Sequence, residues 1–154
     1  MKIVLAADHR GQGVKDRIAV LLSEMGHEVL DMGTNSSASC DYPDVAYPAA
    51  KAVSEDTAHR GVLICATGIG MSICANKVKG VRAALCHDEL TAQMSRRHNN
   101  TNVLCLASDV LGEELIRRIV VSWLGTDFED GGRHARRVSK IAMIEANRDP
   151  ASAE

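Results

Sequence analysis

Val62-Leu63-Ile64-Cys65-Ala66-Thr67-Gly68-Ile69-Gly70-Met71-Ser72-Ile73-Cys74-Ala75-Asn76-Lys77 decides how the chain is read. Gly61 to Cys65 reads as a buried strand, Ala66 to Gly70 as a tight turn, and a helix is expected to begin near Met71 and end at Gly80. Backbone N–H groups in such a turn and at a helix start lack internal partners and point toward any nearby anion. Cys65 stands where the strand gives way to the turn. N–H dipoles facing a thiol favour its thiolate, the form that acts as base or nucleophile. An acid–base group beside an oxyanion site is the minimum apparatus for moving a proton next to a carbonyl.

The same alternation extends both ways along the chain. Lys2–Ala7, Glu28–Met32, Val81–Cys86 and Asn102–Leu106 read as further strands. Between and after them, helical spacing appears at Val14 to Met25 with a stop at Gly26, at Tyr47–Ser54, at Glu89–Arg97, and along Leu111, Leu115, Ile116, Ile119, Trp123 and Leu124. Gly33 to Pro43 reads as a loop. This order predicts a three-layer α/β/α sandwich of Rossmann-like type around a five-stranded parallel sheet. Ligands in such folds bind at the carboxyl ends of the strands, where Asp8-His9, Cys65–Gly70 and His87-Asp88 fall. An extra C-terminal helix, Ala135 to Asn147, follows; it either closes the core or reaches onto a second subunit. The expected organisation is one domain over residues 1–147 and a frayed tail over 148–154.

Composition narrows the function. The chain has 154 residues, 45% of them hydrophobic, and a net charge of −2, which gives no general reason to bind polyanions. Aromatic residues are 3%, too few for stacking readers of nucleic acid. The five cysteines, at 40, 65, 74, 86 and 105, are odd in number and contain no C-x-x-C pair, so neither a disulfide framework nor a zinc ribbon is expected. No signal peptide and no apolar run of membrane-spanning length are apparent, which points to a reduced, cytoplasmic protein. His59, His87, His98 and His134 are scattered without ligand spacing, and no metal is expected.

Other constellations have bland readings beside sharp ones. Gly68-Ile69-Gly70 opens a dinucleotide fingerprint and Asp88 lies where a ribose-binding acid would sit, but Ile73 occupies the third glycine's position, making this the weaker reading. Arg96-Arg97-His98-Asn99-Asn100 suits a helix C-terminus, yet His98 is the best-placed second acid–base candidate. In Gly131-Gly132-Arg133-His134-Ala135-Arg136-Arg137, a solvated basic loop is the default; Arg133 and Arg137, four apart, would also share a helix face and clamp one phosphate.

Taken in order, Ala7-Asp8-His9-Arg10-Gly11, Asp41-Tyr42-Pro43, Cys65 to Ser72 with Ala75-Asn76-Lys77, Ser95 to Asn99, Thr101 to Leu104, and Gly131 to His134 with Arg137 resemble the sugar-phosphate isomerases that include ribose-5-phosphate isomerase type B and galactose-6-phosphate isomerase. The resemblance implies aldose–ketose isomerisation without cofactor, most closely of ribose 5-phosphate, through a cis-enediolate. Cys65 would move the proton between C2 and C1, and the N–H groups of Ala66 to Gly70, including Gly68 and Ile69, would hold the enediolate. His98 would open the sugar ring, assisted by Thr67 and Asn99. Asp8, His9, Tyr42 and Ser72 would contact the sugar; Arg133, His134 and Arg137 would bind at the phosphate. It also implies a homodimer with sites between subunits, with dimers often pairing into tetramers. Two positions depart from the pattern. Ala66 stands where Gly is usual, which would cost roughly 1 kcal/mol if the position needs a positive φ. Ser108-Asp109 replaces a common Ser-Arg; aspartate caps a helix well but repels a phosphate. The departures keep open a tetrose or hexose phosphate as substrate, or a non-catalytic binding module.

Overall fold

The computed structural model describes residues 1–152. Five parallel strands, β1 (Lys2–Ala7), β2 (Glu28–Asp31), β3 (Arg60–Cys65), β4 (Ala83–Leu85) and β5 (Val103–Ala107), form one sheet in the order β2-β1-β3-β5-β4. The expected α/β sandwich is therefore present, with β5 inserted between β3 and β4. Cys65 pairs with Ala107 at the carboxyl end of β3, and Ala7 pairs with Ile64 on its other side.

Period-two alternation divides the strands between two cores. Ile3, Leu5, Val62, Ile64, Leu104 and Leu106 face α1 (Gln12–Glu24), α4 (Glu89–Asn99) and α5 (Glu113–Leu124), around a fully buried Trp123. Val4, Ala6, Leu63, Cys65, Val103 and Cys105 face α2 (Tyr42–Ser54) and α3 (Ile69–Ala75). The second core is lined by alanines of α2 at positions 46, 49, 50 and 52, so that helix sits close to the sheet.

Helix ends shift from their expected positions, most of all in α2 and α3, while α6 runs Gly132–Glu145 and not Ala135 to Asn147. Helix α2 starts at Tyr42, five residues earlier than Tyr47, because Pro43 occupies the first turn, where its missing N–H costs nothing. Helix α3 starts at Ile69 and ends at Ala75, well short of Gly80. There Asn76 turns the chain: its amide donates to the Ser72 and Ala83 carbonyls and its oxygen accepts from the Ala83 N–H.

The C-terminal helix α6 (Gly132–Glu145) packs on α4 and does not close the core. His134 is its one buried residue, while Ile141 and Ile144 are 42% and 58% exposed. Pro150–Ser152 then forms a single 3-10 turn, and the last two residues of the expected tail lie outside the described part. No helix among the described residues is long and apolar enough to cross a membrane.

Candidate active site

Cys65 ends β3 with 5% exposure, and its Sγ accepts a hydrogen bond from the Gly68 N–H at 3.2 Å. Gly68 makes this possible by adopting φ +71°, a conformation that L side chains rarely take. A Cβ there would also lie 3.0 Å from the backbone of Leu106. Ala66 is not among the positive-φ residues, so the alanine in place of glycine carries no strain. Strand β5 braces the turn: Ser108 N–H and Oγ both donate to the Cys65 carbonyl (2.9 and 3.1 Å), and Asp109 N–H donates to the Ala66 carbonyl at 3.0 Å.

The rest of this edge gathers around the turn. Asp8 is buried, and its Oδ1 accepts from the Arg10 and Gly11 N–H groups at 2.9 and 3.1 Å, fixing the turn after β1. His9 Nδ1 accepts from the Cys40 N–H at 3.3 Å, tying that turn to the loop before α2. The Tyr42 ring lies over Gly70, where a Cβ would come within 2.7 Å of it. Thr67 and Ile69 are exposed and Ser72 half-buried on the same turn and helix. The fully buried Lys15 ammonium bonds Asp31 and the Asn35 side chain, holding the loop after β2.

His98, Asn99, Arg133, His134 and Arg137 are elsewhere. Helix α4 runs back from the carboxyl edge, and the segment after it returns to the sheet where Gly61 N–H donates to the Asn102 carbonyl. Gly61 is four residues before Cys65, so roughly 13 Å of strand separates the two ends. Within one chain, the expected site residues thus form two clusters at opposite edges of the sheet.

In the second cluster the His98 and His134 rings stack with centroids 4.0 Å apart and planes 2° from parallel. Arg133 Nε donates to His134 Nε2 at 3.3 Å, which assigns the proton of a neutral His134 to Nδ1, a buried atom with no partner. Burial, then the charges of His98 and Arg133, hold the His134 pKa below that of a free imidazole, against the pull of Glu129. Arg97 Nε donates to Glu129 Oε1 at 2.8 Å, and its Nη2 makes a second bond to the same oxygen. The ligand atoms of His98, Glu129 and His134 lie within 4.8 Å of one another, a grouping that sequence spacing did not reveal. Stacked parallel rings cannot both hold one ion in their planes, so this arrangement is a ring stack with an acidic neighbour, not a chelate. Arg133 and Arg137 are exposed on one face of α6, and Arg137 has no carboxylate partner among the described residues.

Asp88 is the N-cap of α4. Its Oδ1 accepts from the Thr91 N–H at 2.7 Å in a capping box at the start of α4, and that bond lowers its pKa. Cys86 and Cys105 are buried, and burial raises both their pKa values, leaving them as thiols. Sequence reasoning missed the partner of Asp109: Arg10, whose Nε and Nη2 donate to Asp109 Oδ2 at 3.1 and 2.6 Å. Ninety-nine positions separate the two, and no local pattern links them.

A sequence profile of the ribose/galactose isomerases matches residues 3–141. The chain belongs to that family. It is 48% identical over 148 residues to the ribose-5-phosphate isomerase B of Escherichia coli (strain K12), covering 96% of this chain and 99% of that protein. The solved structure of ribose-5-phosphate isomerase B from Clostridium thermocellum superposes with a TM-score of 0.93 at 48% identity, over 96% and 99% of the two chains. A D-erythrulose-4-phosphate isomerase of Pectobacterium atrosepticum is 42% identical over 146 residues, covering 94% and 95%.

Proposed function

We propose that the protein interconverts ribose 5-phosphate and ribulose 5-phosphate, with Cys65 as the base. One observation carries the reading: the Gly68 N–H is aimed at Cys65 Sγ within a turn of backbone donors, at the carboxyl edge of the sheet of a sugar isomerase. The thiolate takes the C2 proton of the open-chain aldose. The electron pair of that C–H bond forms the C1–C2 double bond, and charge collects on the oxygens facing Ala66 to Gly70. Return of the proton at C1, with the O2 hydroxyl proton passed to O1 so that C2=O forms, gives the ketose. A well-placed backbone donor is worth about 3–4 kcal/mol to such an anion. No cofactor enters this sequence of steps.

Ring opening falls to His98 with Thr67 and Asn99, contacts to the sugar to Asp8, His9, Tyr42 and Ser72, and the phosphate to Arg133, His134 and Arg137. Their placement at opposite sheet edges supports a homodimer in which α6 and the α4 end of one subunit complete the Cys65 site of the other. The exposed Ile141 and Ile144 supply apolar area for that contact. The reading places the enzyme in the cytoplasm, where its thiols stay reduced.

Mixing two inactive variants, Cys65→Ala and His98→Asn, tests the arrangement. A shared site predicts that dissociation and reassociation restore about a quarter of wild-type ketose formation, because half of the dimers then carry one intact site. No recovery would place both residues in one subunit's site. A second reading, a tetrose phosphate as substrate, is favoured by Asp109 and by the erythrulose-4-phosphate isomerase relative; parallel assays with erythrose 4-phosphate decide between them.

A further inference from the structure

Strands β1 and β5 do not touch; β3 lies between them. The Arg10–Asp109 pair therefore crosses over the carboxyl end of β3, above the turn that carries Cys65. Both ends are anchored to that turn's surroundings. The Arg10 N–H is held by Asp8 Oδ1, and the Asp109 N–H by the Ala66 carbonyl. The side chains are 57% and 37% exposed, so neither is sealed in the fold.

The pairing is one-sided. Arg10 spends Nε and Nη2 on a single oxygen, Asp109 Oδ2. A guanidinium has five N–H donors and a carboxylate about four lone-pair sites, so donors and acceptors both remain. Asp109 Oδ1 accepts from the Ser108 hydroxyl across a long 3.4 Å. A lone arginine would suit a phosphate. A neutralised arginine beside a carboxylate with open lone pairs suits a different partner, a pair of neighbouring hydroxyls, one accepting and the other donating.

Building on the isomerase reading above, we propose that Arg10 and Asp109 contact the substrate and read the sugar hydroxyls beyond C2, making this pair a determinant of which sugar phosphate is accepted. Arg10 donates to one hydroxyl oxygen, Asp109 accepts from the next, and each holds the other in place. This gives the Asp109 departure a function that no phosphate contact would give it.

The test measures binding of erythrose 4-phosphate, ribose 5-phosphate and allose 6-phosphate by calorimetry in a Cys65→Ala background, where bound sugar is not turned over. Arg10→Gln, Arg10→Lys and Asp109→Asn are compared with the parent. A charged hydrogen bond lost to a hydroxyl predicts a rise in Kd of about 10- to 100-fold for the longer sugars and a clearly smaller one for erythrose 4-phosphate, which has only the C3 hydroxyl beyond C2. Arg10→Lys should fail nearly as badly as Arg10→Gln, since an ammonium cannot reproduce the fork. In Cys65-containing enzyme the same changes should raise KM more than they lower kcat. Equal losses on all three sugars, rescued by Lys, would mean a phosphate contact and overturn the proposal; so would unchanged affinities, which would make the pair a brace of the fold. Wild-type turnover is assayed alongside, so failure of the isomerase reading shows there, independently of the Arg10 variants.

Discussion

Replacing Gly68 by alanine should damage stability and catalysis together, for reasons visible in one turn. At φ +71° a side chain costs about 1–2 kcal/mol. The new Cβ would lie 2.5 Å from Leu85 Cδ1 and 3.0 Å from both the carbon and oxygen of the Leu106 carbonyl. Leu85 can rotate, but β5 is a central strand and cannot retreat, so overpacking adds about 1–2 kcal/mol. The sum, roughly 2–4 kcal/mol, corresponds to a fall in Tm of about 4–15 °C in a chain of this size. If the turn shifts to relieve the clash, the Gly68 N–H leaves Cys65 Sγ and the neighbouring donors move with it. Loss of one such donor lowers kcat about 100- to 1000-fold. Thermal unfolding and steady-state ketose formation on the same preparation measure both effects. A Gly68→Ala protein with wild-type Tm and kcat would refute the geometry on which the site is built.

Gly70→Ala should push the Tyr42 ring aside, because a Cβ there would come within 2.7 Å of it; the ring is 39% exposed and free to move outward, so KM should rise while Tm changes little. Trp123 Nε1 donates to Thr101 Oγ1 at 3.0 Å, so Thr101→Val should cost about 1–3 kcal/mol in chemical denaturation by stranding a buried donor; a loss under a few tenths would discount that bond. Because His134 is held below the ordinary imidazole pKa, first by burial and then by His98 and Arg133, the unfolded chain takes up its proton first as pH falls. Its contribution to stability is thus complete above pH 6.5 and declines below, so Tm between pH 7.5 and 5 should fall more steeply in the wild type than in His134→Gln; parallel curves would remove His134 from the account.

What was legible in the sequence follows from how far each signal reaches. Strands rich in Val, Ile and Leu and the stripe from Leu111 to Leu124 are local patterns, and the five strands and α5 appear where those patterns lie. The turn after Cys65 was legible because it follows the strand directly in the chain. The end of α3 was not, because Asn76 turns the chain through bonds to Ala83, seven residues on. The insertion of β5 between β3 and β4 is a long-range choice with no local trace. The same holds for Arg10 with Asp109 and for Glu129 with Arg97 and His134, pairings that only the folded chain creates. The sequence named His98, Arg133 and His134 as candidates but said nothing of the stacking of the His98 and His134 rings or of their distance from Cys65.

In the proposed reaction Cys65 carries a proton between two carbons of a sugar phosphate. Proton NMR of ribose 5-phosphate in D2O, with wild-type protein and with Cys65→Ala at matched fold content, tests it most directly. Ribulose 5-phosphate and deuterium at the exchanging carbon are expected with the wild type, and neither with Cys65→Ala, although that variant still binds the sugar. Deuterium uptake by Cys65→Ala at the wild-type rate would contradict it.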